Sequence, residues 1–174
     1  MVTESDAVKY LLDGDGGTRD VTFTPTTQQA VSSLFRDLLT QYCLESAYDN
    51  NGNDLVNQIQ TDTSALYGGG GFVHAVFADA TRLIRCLQVF LDWDQLSSEY
   101  CIEISFIPGD ITLDSFTFDQ FRDTLTEWND SLNADDYFVR YENASWDLYD
   151  PNGLGVIFTR KQPPMSEPCD EPTS

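Results

Sequence analysis

Residues 100–132 read YCIEISFIPGDITLDSFTFDQFRDTLTEWNDSL, and this stretch holds a strand and a helix in succession. Ile102, Ile104 and Phe106 alternate with Cys101, Glu103 and Ser105, the period-two pattern of a half-buried strand over 100–107. Pro108-Gly109 ends it. Thr117 stands three residues before Gln120, the form of a capping box. Phe118, Phe121, Leu125, Trp128 and Leu132 then recur at three- and four-residue steps, which predicts a helix over 117–132.

Working outward toward the C-terminus, residues 137–142, 145–149 and 154–160 read as short strands. Asp150-Pro151-Asn152-Gly153 between the last two is a hairpin turn. Toward the N-terminus, Val73, Val76, Phe77, Ala80, Leu83, Ile84, Leu87, Phe90 and Leu91 hold a helical period. They predict a central helix over 73–91, apolar on much of its circumference. Thr26 and Gln29 form a second capping box before an amphipathic helix over 27–45. Residues 5–12 predict a short helix, 13–20 (DGDGGTRD) a break, and 21–24 a short strand. Residues 47–54 read as a turn-rich loop, 55–59 as ambiguous, and Gly68–Gly71 as a hinge. The sum is an α+β fold: N-terminal helices followed by a β-α-β-β-β unit with an antiparallel sheet.

The chain of 174 residues fits a single acidic domain over 1–161, with residues 1–20 read as a loosely attached N-terminal helix. Residues 162–174 hold four of the seven prolines and read as a disordered tail. Hydrophobic content of 41% and aromatic content of 13% supply a real core, so the acidity is not that of a disordered acidic segment. The first residues show no secretory signal, and no window is apolar enough for a membrane helix. Cys43, Cys86, Cys101 and Cys169 form no CxxC pair and read as reduced core thiols. The expected location is cytoplasmic.

Net charge is −20 and unevenly spread. Residues 92–150 carry fifteen acidic side chains against Arg122 and Arg140, a net of −13. Asp119, Asp123, Glu127 and Asp130 fall on one face of the predicted helix, opposite its apolar stripe. Successive members are about 5–6 Å apart along the axis. Asp110 and Asp114 flank the row on one side, Asp135 and Asp136 on the other. Like charges four residues apart destabilise a helix slightly, so a row of them invites a reason outside the fold. Nucleic-acid phosphates present charge at comparable spacing to Lys and Arg clusters. In charge and size the chain resembles the acidic DNA mimics of phages and mobile elements, a resemblance of composition that covers no motif. The leading expectation is therefore an anti-defence inhibitor whose eight carboxylates occupy the basic nucleic-acid-binding surface of another protein. One alternative is an immunity-type or adaptor protein that neutralises one basic cognate partner through a mixed polar and aromatic interface. Another is a salt-adapted domain, suggested by two lysines beside seven arginines and twenty-one aspartates beside eight glutamates.

Enzyme chemistry finds no foothold. The segments 13–24 and 49–60 look like calcium loops, but Gly17 and Asp54 break the ligand pattern, and Thr24 and Gln60 stand where Glu is required. One histidine and four scattered cysteines offer no zinc set. His74 has no nucleophile motif around it and reads as structural. The Gly68–Gly71 run lacks the lysine of a phosphate loop. Trp93, and Trp146 with Tyr149, read as core residues or interface anchors. No cofactor or metal is expected, and the absence of a basic patch excludes direct nucleic-acid binding.

Overall fold

The computed structural model describes residues 2–68, 70–94, 97–142 and 155–165. Seven strands form one sheet: β1 (Arg19–Phe23), β2 (Cys43–Asp49), β3 (Phe72–Ala78), β4 (Cys86–Asp94), β5 (Glu99–Phe106), β6 (Tyr137–Tyr141) and β7 (Val156–Thr159). Their order is β2-β3-β4-β5-β1-β6-β7, with every pair antiparallel. Four α-helices accompany them: α1 (Glu4–Leu12), α2 (Gln28–Gln41), α3 (Val56–Thr61) and α4 (Phe118–Ser131). The α+β class is as the sequence implied, but the helices-first arrangement is not. The first strand lies between β5 and β6, so the N-terminal strand is interior to the sheet while the C-terminal strand β7 forms an edge.

The largest correction concerns residues 73–91, which form the β3–β4 hairpin rather than a helix. Val73, Ala75 and Phe77 point into the core from β3, and Leu87, Val89 and Leu91 do so from β4. Val76 and Phe90, counted toward a helical stripe, lie on the other side of the sheet. Two period-two patterns joined by a seven-residue turn imitate a period of 3.6 when apolar residues also occupy the second face. The turn shows its own chemistry at Asp79, whose carboxylate accepts hydrogen bonds from the Thr81 amide and hydroxyl, each at 2.7 Å. Likewise the helix expected over 27–45 stops at Gln41, and Cys43–Asp49 becomes the edge strand β2.

Side-chain caps fix the starts of α2 and α4. Thr117 caps α4 by accepting from the Gln120 amide at 3.2 Å, the N-cap half of the box that its sequence signature implied. In α2 the cap is Thr27, one residue later than expected, accepting from the Ala30 amide. Thr26 instead donates its hydroxyl to the Leu132 carbonyl. The apolar stripes of α2 and α4 both pack on one face of the sheet, through Phe35 on Phe77 and Phe121 on Phe106, each with ring centroids 5.8 Å apart. The first helix belongs to this same core, since Ala7 and Leu11 are fully buried. Residues 162–165 include Met165, which bridges Thr3 in parallel register. The expected strand over 145–149 and the turn over 150–153 lie outside the described residues.

Candidate partner-binding surface

Helix α4 presents its predicted carboxylates outward, but not as an uninterrupted row. Asp119 pairs with Arg122 at 2.7 Å and Asp130 with Arg160 at 3.3 Å. Asp123 and Glu127, with Asp114 and Asp135, are exposed. Asp136 differs from the rest. It is buried and accepts hydrogen bonds from the Tyr137 and Lys161 amides, which ties the end of β7 to the start of β6. Asp110 sits in a 3₁₀ turn (Pro108–Asp110), partly buried, and desolvation pushes its carboxyl above the ordinary range despite the nearby Arg85.

The opposite face of the sheet is made by the alternate residues of the same strands. Among the described residues no helix packs on it over β2–β5. The register sets its side chains in rows. One row runs Tyr48, His74, Phe90, Glu103, Thr22, Phe138. The next runs Ser46, Val76, Gln88, Ser105, Asp20, Arg140. At the centre the His74 ring stacks flat on Phe90, with centroids 4.5 Å apart and planes inclined by 4°. Its Nε2 lies 3.1 Å from Gln88 Oε1. This bond and the stacking hold the imidazole in place. Tyr48 beside it is 46% exposed.

Toward β6 the same face becomes a buried polar network. Arg140 donates to Glu103 at 2.7 Å and to the Thr22 hydroxyl at 2.9 Å, while Ser105 donates to Asp20 at 2.6 Å. These bonds satisfy charges that would be costly to bury alone.

Carboxylates stand at both ends of the aromatic centre. Asp92, Asp94 and Glu99 crowd Cys101, and together with burial they push its thiol up. Asp110 and Glu45 act in the same way on Cys86 at the far end of β4. Burial is the larger cause in both cases. Cys43, Cys86 and Cys101 are free and line this face, exposed or half-buried, rather than the core positions expected of them.

Most of the arginines are engaged in internal contacts, whereas Lys9, Arg36 and Lys161 are exposed. Arg19 is fully buried and donates from Nε to the Tyr10 carbonyl at 2.7 Å and from Nη2 to Asp13 at 2.8 Å. It also pairs with Asp15 at 3.2 Å and lies 4.4 Å from the Tyr141 ring centroid. Arg82 donates to the Gln41 carbonyl, and Arg85 to the carbonyls of Gly109 and Asp110. Asp49, from the second calcium-like segment, accepts from the amides of Asn51 and Asn53 and from the Asn53 side chain. That is turn chemistry. Trp93 is 39% exposed and stacks on Tyr100 at a distance of 6.3 Å. Trp146 and Tyr149 lie outside the described residues. A shallow cavity of about 360 Å³ between α2 and the 3₁₀ turn Thr63–Tyr67 is lined by Ser32, Arg36 and Tyr67. There Ser32 and Tyr67 bond to one another at 2.6 Å.

A sequence signal for the open face does exist. Phe72, His74 and Val76, then Gln88, Phe90 and Asp92, alternate with the core residues of the same strands. The apolar members of that second set hid the alternation.

No protein-family model matches the sequence, and no curated protein matches it. Among solved structures, the chain is similar to a chain in the 1.75 Å crystal structure of the toxic C-terminal tip of CdiA from Pseudomonas aeruginosa in complex with immune protein. The two are 10% identical with a TM-score of 0.46, over 84% of this chain and 96% of that one. At this level the resemblance concerns general shape and bears on no residue of the surface described above.

Proposed function

We propose that this protein is an acidic inhibitor of the immunity type, which binds one basic protein and neutralises it without chemistry of its own. The observation that carries this reading is the imbalance of exposed charge, since four of the seven arginines are buried or paired with carboxylates and Lys9, Arg36 and Lys161 are exposed beside a larger number of carboxylates. Arg19 and Arg140 are buried in internal contacts, and Arg122 and Arg160 are paired with carboxylates. Asp92, Glu99, Asp114, Asp123, Glu127 and Asp135 face solvent. A surface of this kind steers a basic partner to itself and repels nucleic acid and anionic membranes. Mimicry of DNA has weaker support. It rests on α4, where Arg122 and Arg160 interrupt the row and Asp136 is not available.

The test is a panel of purified basic proteins, with a toxic tip of the kind in the similar structure among its first members. Each is assayed for binding and for loss of its own activity. One basic protein bound and inactivated, with duplex DNA unable to displace the inhibitor, supports the proposal. Displacement by DNA would restore mimicry. Binding by none of the panel would contradict both.

A further inference from the structure

We infer that the partner is held on the open face of β2–β5, by an aromatic centre with carboxylates at either end, and that the occupant is a protein surface presenting arginines around an apolar anchor. The inference rests on the proposed function and adds to it where the partner docks and what the docking segment is made of.

Three features of the face set the chemistry of its occupant. Tyr48, His74 and Phe90 share one row across three strands. The stacking of His74 on Phe90 sets the two rings face to face and makes a rigid aromatic ridge on the sheet. Aromatic rings on a rigid sheet lose little freedom on binding and are the usual anchors of an interface. Asp92 and Glu99 at one end, and Glu45 at the other, are exposed and offer carboxylates to flanking basic groups.

Size is consistent with this role. Four strands at about 4.8 Å, each near seven residues long, give a flat footprint of about 450 Å². That is over half of the roughly 800 Å² per partner in a standard interface, and the carboxylates at either end widen it. A second copy of this chain is excluded as occupant by charge, since it would bring its own excess of carboxylates against the same groups. Nucleic acid is excluded for the same reason. Helix α4 lacks the second half of the arrangement: its carboxylates are exposed, but its aromatic side chains, Phe118, Phe121 and Trp128, are buried.

The experiment uses the full chain, labelled with ¹⁵N, and two defined probes of about twelve residues, near the strand length of the face. One peptide alternates arginine with tryptophan, the other arginine with serine. The first is expected to bind saturably and to shift the amides of Tyr48, His74 and Phe90 most. Tyr48→Ser and Asp92→Lys, both at exposed positions and so without demand on the core, should each weaken it by about tenfold. Asp123→Lys on α4 should change it by less than about twofold. The arginine–serine peptide should bind more weakly. Shifts concentrated on α4, or full affinity in Tyr48→Ser, would overturn the face assignment and leave the partner class standing. No saturable binding of either peptide would count against both.

Discussion

Arg19 offers the sharpest test of how the N-terminal segment is held. Its guanidinium is fully buried, donates to the carbonyls of Tyr10, Asp13 and Thr18, pairs with Asp15, and lies over Tyr141. Two of those carbonyls belong to the C-terminal turn of α1 and its cap, which lack partners within the helix. Arg19→Met keeps most of the apolar volume and removes every donor. The buried carbonyls and the Tyr141 face then lose a charged partner, and breaking a buried ionic site of this kind costs about 3–5 kcal/mol. With an m-value of about 2 kcal/mol per molar urea, the unfolding midpoint should fall by about 2 M. Arg19→Lys keeps the charge but cannot reach Tyr10, Asp13 and Thr18 with one fork, so it should fall between the two. Asp15→Asn, which changes an exposed carboxylate, should move the midpoint far less. Equilibrium urea unfolding followed by circular dichroism reads all four proteins. A midpoint shift below about 0.3 M for Arg19→Met, within the error of linear extrapolation, would refute the claim that this residue pins α1 to the sheet.

Other predictions bear on single positions. Gly71 has φ of +95°, and a Cβ there would stand 3.2 Å from Trp93 Cβ. Gly71→Ala should therefore cost about 1–3 kcal/mol in thermal or urea unfolding, whereas Gly14→Ala, with open space around it, should be near neutral. The bonds from Asn53 and Asn51 hold the Asp49 carboxyl below its ordinary value of 3.8. The stability it contributes is complete above that value and is lost as pH falls through the lower folded value. The difference in midpoint between wild type and Asp49→Asn should be full near neutral pH and should shrink in unfolding curves taken at progressively lower pH. Asp123→Lys places an ammonium four residues from both Asp119 and Glu127, replacing two repulsions by two attractions. It should stabilise the fold by about 0.5–1.5 kcal/mol at low salt, an effect that unfolding in high salt should largely remove.

The parts of the fold that were legible from residues alone are those where one face of an element is apolar and the other is not. Helix α4 and strand β5 are of that kind: Phe118, Phe121, Leu125 and Trp128 face inward, as do Ile102, Ile104 and Phe106, while their neighbours in the chain are polar. The β3–β4 hairpin was not legible because Phe72, Val76 and Phe90 make its second face apolar as well. That second face is the proposed docking surface, so the feature that concealed the strands is the one that gives them a use. Charge was legible as an amount and in its bias toward residues 92–150, but not in its pairing. The partners of Asp130 and Asp136 lie just after β7, thirty and twenty-five residues along the chain. The three thiols of Cys43, Cys86 and Cys101 were placed in the core because their neighbours are apolar. The pleat turns each of them to the other side.

The central claim is that the acidic surface serves one basic protein. The most direct measurement titrates the purified chain, by calorimetry, against basic proteins and near-neutral controls of similar size, at about 50, 150 and 500 mM salt, a range that brackets physiological screening. Saturable one-to-one binding to a single basic protein is expected, submicromolar near physiological salt and weaker as salt rises. That expectation is contradicted if no basic protein binds more tightly than the neutral controls.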